Sequence, residues 1–138
     1  MLELILAAAI FALISSFGFL VSLDFYRSYV FDNEVKVLVS LLQRARSQSL
    51  NNMGQSPHGF AALSSQYVLF DRADFIKPEA GDLLYPRDAQ ITISWAGAPE
   101  QIVFEQLSGN SREQEIVLSD GKRSRKITVS KNGRIVYE

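Results

Sequence analysis

The sequence predicts an α+β chain. A long N-terminal α-helix, transmembrane in its first half and amphipathic in its second, packs on an antiparallel β-sheet or two-sheet sandwich of about seven strands. Three observations predict it. An uncharged run of twenty residues, Leu4–Leu23, opens the chain. An apolar stripe at helical spacing follows, from Phe31 to Ser49. After Gly54 the apolar period drops to two and turn dipeptides recur at short intervals.

The opening run, LILAAAIFALISSFGFLVSL, makes a helix of roughly 30 Å at about 1.5 Å per residue, one hydrocarbon thickness. Eighteen of the first 23 residues are hydrophobic, and Glu3 is the only ionisable side chain before Asp24. A cleaved signal peptide wants a basic start and a shorter apolar core. A buried core helix wants a polar face, and only Ser15, Ser16 and Ser22 offer one. A membrane helix is therefore expected over residues 1–23. Glu3 is a carboxylate at the lip of this helix. It either snorkels to headgroups or meets a positive charge from another subunit.

Phe31, Val35, Leu38, Leu42, Ala45 and Ser49 follow i, i+4, i+3 spacing and form one stripe. The helix is expected to continue through them as one rod of about 50 residues, with Phe31–Ser49 docking on the sheet. Ser15, Ser16 and Gly18 weaken the helix where its halves meet. Asn51, Asn52 and Gly54 stop it, Gly54 suiting a left-handed position, and Pro57 opposes continuation. Residues 24–54 are thus the amphipathic continuation and 55–138 the β-rich domain.

Strands are expected at His58–Leu63, Gln66–Phe70, Ala89–Trp95, Gln101–Leu107, Glu115–Leu118, Lys126–Ser130 and Arg134–Tyr137, with residues 71–88 a loop. Asn132-Gly133 between two alternating runs is a strong hairpin signal. Trp95 alternates with Ile91 and Ile93, which reads as core.

Composition excludes several functions. The 138 residues include no cysteine and one histidine, so disulfide scaffolds and CxxC redox or zinc sites are out. Residues 24–138 carry 14 basic and 14 acidic side chains, which is not the balance of a strongly basic nucleic-acid binder. His58, in Ser56-Pro57-His58-Gly59, reads as a turn or surface histidine without a catalytic partner. Asp71 and Asp74 are weak calcium candidates, because their loop lacks the D-x-D-x-D-G spacing. Lys122, Arg123, Arg125 and Lys126 form a basic cluster that could contact DNA or a partner, with only Tyr137 nearby to stack. No nucleophile–base pair, phosphate loop or metal set is evident, so neither an enzyme nor a cofactor is expected. Residues 71–120 hold 4 basic and 10 acidic side chains, and residues 122–138 hold 6 basic and 1 acidic. These opposite signs either favour contact between subunits or neutralise each other on adjacent strands.

Several stretches carry a family resemblance across essentially the whole chain. Met1-Leu2-Glu3-Leu4-Ile5-Leu6-Ala7-Ala8-Ala9-Ile10 resembles the start of mature type IV pilin-like proteins, with two residues fewer ahead of the glutamate. Val39-Ser40-Leu41-Leu42-Gln43-Arg44-Ala45-Arg46-Ser47 resembles the "LQ.ARS" stretch closing their long helix. Ile102-Val103-Phe104 with Ser108-Gly109 resembles their mid-domain element, and Ile127–Ser130 with Asn132–Ile135 their terminal hairpin. The nearest likeness is to the H-type minor pseudopilins of type II secretion and related minor pilins.

The resemblance implies a subunit held in the inner membrane, N-terminus inside and β-domain outside, then drawn into a filament of packed apolar helices. Expected partners are other pilin or pseudopilin subunits, the assembly platform and, if a leader lies upstream, a prepilin peptidase. Nucleic acid is not the expected partner, although a DNA-binding or adhesive minor pilin is the runner-up, followed by an anchored β-domain that never polymerises. In such proteins the equivalent of Glu3 pairs with a neighbour's N-terminal ammonium. Two departures stand out: no basic leader ending in glycine precedes Met1, and Leu20 stands where the family usually has proline.

Overall fold

The computed structural model describes residues 2–97 and 100–138, apart from the side chains of residues 16–22. Met1 and the side-chain surroundings of Ser16, Gly18, Leu20 and Ser22 therefore lie outside the described residues. The chain forms two compact units, the first ending at Asn33 and the second running Glu34–Glu138.

A single helix, α1, is assigned over Leu2–Leu50. In the first unit its apolar side chains face outward: Leu2, Leu4, Ile5, Leu6, Ile10, Phe11, Leu13 and Ile14 are all between 51% and 84% exposed. Among the described residues no helix is long and apolar enough to cross a membrane. The expected span Leu4–Leu23 includes residues 16–22, whose side chains are not among those described.

In the second unit α1 is amphipathic. Val35, Leu38, Leu42, Ala45 and Ser49 are buried, as is Phe31 at the end of the first unit. The buried arc is wider than the stripe, because Glu34, Val39 and Leu41 are buried as well. The left-handed residue that ends α1 is Asn52 (φ 53°). Gly54 (φ 64°) comes later, inside a 3₁₀ turn over Met53–Gln55. Asparagine tolerates this region because its short polar side chain bonds locally.

Eight strands follow rather than seven: β1 His58–Ala62, β2 Gln66–Phe70, β3 Leu83–Pro86, β4 Thr92–Trp95, β5 Gln101–Phe104, β6 Gln114–Ser119, β7 Ser124–Val129 and β8 Ile135–Tyr137. The extra strand, β3, lies within the expected 71–88 loop. It forms by pairing with β2, Tyr67 opposite Tyr85 and Leu69 opposite Leu83. The strands make two four-stranded sheets, β3-β2-β1-β5 and β4-β6-β7-β8, with every pairing antiparallel.

Strand alternation defines the faces. In the first sheet Phe60, Tyr67, Ile102 and Phe104 share the face toward α1, where the Tyr67 hydroxyl donates to Glu34 Oε1 at 2.8 Å and Arg44 Nη1 donates to the Tyr85 hydroxyl at 2.7 Å. Gly59, Val68 and Phe70 share the other face. In the second sheet Ile116, Leu118, Ile127 and Val129 are fully buried on one face. Trp95 is half-buried, its ring 6.5 Å from that of Phe60, at the margin of the core.

His58 departs from expectation. It is the first residue of β1, opposite Phe104, and is buried with its Nδ1 unpartnered. Pairing with β5 carries it into the core, which a local reading of Ser-Pro-His-Gly as a turn misses.

Candidate assembly surfaces

Glu3 sits in the first turn of α1 and is exposed. Its charge complements the partial positive end of the helix. The apolar side chains that follow, from Leu4 to Ile14, present a hydrophobic surface of the kind that marks interaction sites.

In the second unit three further polar attachments, besides the Arg44–Tyr85 bond, hold α1 to the β-domain. The first is Glu34, a buried carboxylate that accepts from the Tyr67 hydroxyl and, at 3.4 Å, from the Asp88 N–H. Burial, then the hydrogen bond and charge of Glu34, push the Tyr67 hydroxyl well above the ordinary phenol range, so it stays a donor. The second is Ser49. Its Oγ accepts from the His58 N–H (2.8 Å) and donates to the Phe104 carbonyl (3.0 Å), while its own carbonyl accepts from the Leu107 N–H (2.9 Å). The third is Arg46, whose Nη2 donates to the Asn132 carbonyl at 3.3 Å. Gly133 beside it is obligatory: at φ 71° a Cβ would lie 1.9 Å from the Gly109 carbonyl oxygen and 2.8 Å from Arg46 Nε.

The outer face of the first sheet is covered by residues 71–82. Phe75 packs on Phe70 with centroids 5.2 Å apart, and the Arg72 guanidinium lies 5.3 and 5.6 Å from their centroids. Arg72 forks onto both Asp82 oxygens (2.7 and 2.9 Å) and reaches the Lys77 carbonyl (2.9 Å). Those bonds hold the Asp82 carboxyl below the usual carboxylate range, against its own burial.

The remaining candidates are placed as follows. Asp71 and Asp74 are exposed, and Asp74 Oδ1 accepts from Gln101 Nε2. Among the described residues no three His, Cys, Asp or Glu side chains group closely enough to hold a metal. Lys122, Arg123, Arg125 and Lys126 are all exposed, but Arg125 and Lys126 alternate to opposite faces of β7, so the cluster has no common surface. Lys126 instead pairs with Glu115 across β6 and β7 at 3.1 Å. At that point an acidic and a basic strand neutralise each other side by side.

Glu34 and the Arg72 fork were missed by sequence reading. Each needs a partner supplied by folding: Tyr67 lies 33 residues beyond Glu34, and Asp82 lies across a loop with no periodic signal.

No family model matches the sequence, and no curated protein matches it. Among solved structures, the crystal structure of the Pseudomonas aeruginosa (strain PAO1) type IV minor pilin FimU superimposes with a TM-score of 0.64. The two share 20% identity over 83% of this chain and 92% of that one. The fold is that of a type IV pilin. The resemblance drawn from Met1–Ile10, Val39–Ser47, Ile102–Phe104 with Ser108–Gly109 and the terminal hairpin thus extends to the architecture: a long helix followed by two antiparallel sheets.

Proposed function

We propose that this pilin-like chain is a minor pilin or pseudopilin, a structural assembly subunit of a type II secretion pseudopilus or a type IV pilus. The observation that carries the reading is the outward-facing apolar surface of α1 from Leu2 to Ile14. Such a surface needs lipid or other helices to cover it. In this account Leu4–Leu23 first spans the inner membrane, with the N-terminus inside and the β-domain outside. It then packs with neighbouring subunits' helices in the filament, through the assembly platform. Residues 24–54 join this segment to the β-domain of residues 55–138, through the docking of Phe31, Val35, Leu38, Leu42 and Ala45.

Glu3 sets the axial register. An unpaired carboxylate inside an apolar bundle costs several kcal/mol, so the favoured stacking is the one that brings a neighbour's positive charge to it. No step is chemical; the mechanism is packing and charge pairing. The test is Glu3→Leu in the full chain, expressed in cells with the fibre machinery. It is expected to stay in the membrane fraction and to fall about tenfold or more in sheared fibres. Normal incorporation removes the register role.

A further inference from the structure

We propose that the stapled loop 71–82 of one copy docks into a basic cleft beside Arg46 and Arg134 of a second copy of this chain. The inference rests on the reading of the chain as a filament subunit and assigns a head-to-head-domain contact to it.

The cleft lies where the end of α1 meets β8. It has a volume of about 230 Å³ and is lined by Gln43, Arg46, Ser47, Leu50, Arg134 and Ile135. It holds two guanidinium groups and two aliphatic side chains, and no carboxylate lines it. Arg46 is held in place by the Asn132 carbonyl and by close packing on Gly133. An anionic group next to an aliphatic one satisfies both halves of this lining.

The loop offers that combination. Ile76 at its tip is 85% exposed, the most exposed large apolar side chain in the chain's described residues. Asp74 and Glu79 flank it and are also exposed. Lys77 adjoins Ile76, Glu79 lies 4.0 Å from Arg72 Nη1, and Asp74 accepts from Gln101 Nε2 on one oxygen, leaving the carboxylates the loop's majority charge. Such a tip on a floppy loop loses ordering entropy when it binds; this loop is already ordered. The Arg72 fork ties residue 77 to residue 82, the Glu79 N–H donates to Asp82 Oδ2 at 2.9 Å, and the Phe75 N–H donates to Gln101 Oε1 at 2.6 Å.

The loop and the cleft do not meet within one chain. Phe70, under the loop, faces away from α1, because Tyr67 three residues earlier faces toward it. The cleft is on α1 itself. A contact joining two different surfaces is heterologous and repeats without closing, which suits a fibre.

The chain has no cysteine, so engineered thiols report the contact without background. Two differently tagged full-length copies, one carrying Ile76→Cys and the other Ser47→Cys, are expressed with the fibre machinery and oxidised. A mixed disulfide dimer is expected, well above that of an exposed control, Ser40→Cys. Glu79→Arg in the loop copy is expected to lower the yield about fivefold, and Arg134→Glu in the cleft copy to restore it. A mixed yield no higher than the control, or disulfides only with other fibre proteins, overturns the proposal. Incorporation of the wild-type chain is scored alongside: incorporation without the cross-link overturns this contact alone. A cross-link without incorporation supports the contact and removes the filament reading.

Discussion

Replacing Ser49 with alanine removes one oxygen from the point where α1, β1 and β5 meet. The side chain is fully buried, and its hydroxyl serves two backbone groups at once, the His58 N–H and the Phe104 carbonyl. Alanine keeps the shape and leaves both groups in a dry interior. An orphaned buried N–H costs about 2 kcal/mol, and a carbonyl, with a second lone pair still available, about 1 kcal/mol. The expected loss is therefore about 3 kcal/mol, a large share of the 5–15 kcal/mol typical of a domain. The assay is urea unfolding of the full chain in mild detergent, followed by the fluorescence of Trp95, the only tryptophan. The midpoint is expected to fall by roughly 1–2 M with little change in slope. Hydrogen exchange at the His58 amide is expected to accelerate. A loss below about 0.5 kcal/mol, with His58 exchange unchanged, refutes the claim that Ser49 fastens the helix to the sheet.

Other perturbations follow from the same contacts. Gly133→Ala places a Cβ against the Gly109 carbonyl, and a β-domain lacking protease resistance is expected. Gly121→Ala, also at positive φ but with nothing within 4 Å, is expected to cost only about 1 kcal/mol by the same proteolysis measurement. Tyr67→Phe strips the strongest partner from buried Glu34, with an expected loss of about 3 kcal/mol. Adding Glu34→Gln to it is expected to cost less than the sum of the two single changes in a double-mutant cycle. Asp82 titrates below its unfolded value, so its pairing with Arg72 stabilises the fold fully above about pH 4 and the stabilisation fades as pH falls further. Asp82→Asn is expected to lower stability at neutral pH and flatten the acid limb of an unfolding-versus-pH curve. An acid limb identical to wild type contradicts the assignment.

The helix was legible because its signals are local. Val35, Leu38, Leu42 and Ala45 repeat at helical spacing, and the Asn51–Gly54 stretch supplies the stop, although Asn52 rather than Gly54 takes the first left-handed turn. β2 was legible at both ends because Gln66–Phe70 is a compact β-favouring run between turn residues. β3 was not, because Leu-Leu-Tyr-Pro has no alternation of its own and becomes a strand only at the edge of β2. The burial of His58 is likewise a consequence of β5 lying across it. The polar attachments through Glu34, Ser49 and Arg72 depend on partners as far as 55 residues away, and no spacing rule encodes them. Ser49 was placed on the buried stripe by periodicity, but its two hydrogen bonds were invisible until β1 and β5 were in place.

The most direct test of the account is to compare wild type with Glu3→Leu for presence in sheared, purified fibres, with membrane content measured in the same cells. The account predicts equal membrane content and a variant almost absent from the fibre. Equal amounts of both proteins in the fibre, or wild type missing from fibres that otherwise form normally, contradicts it.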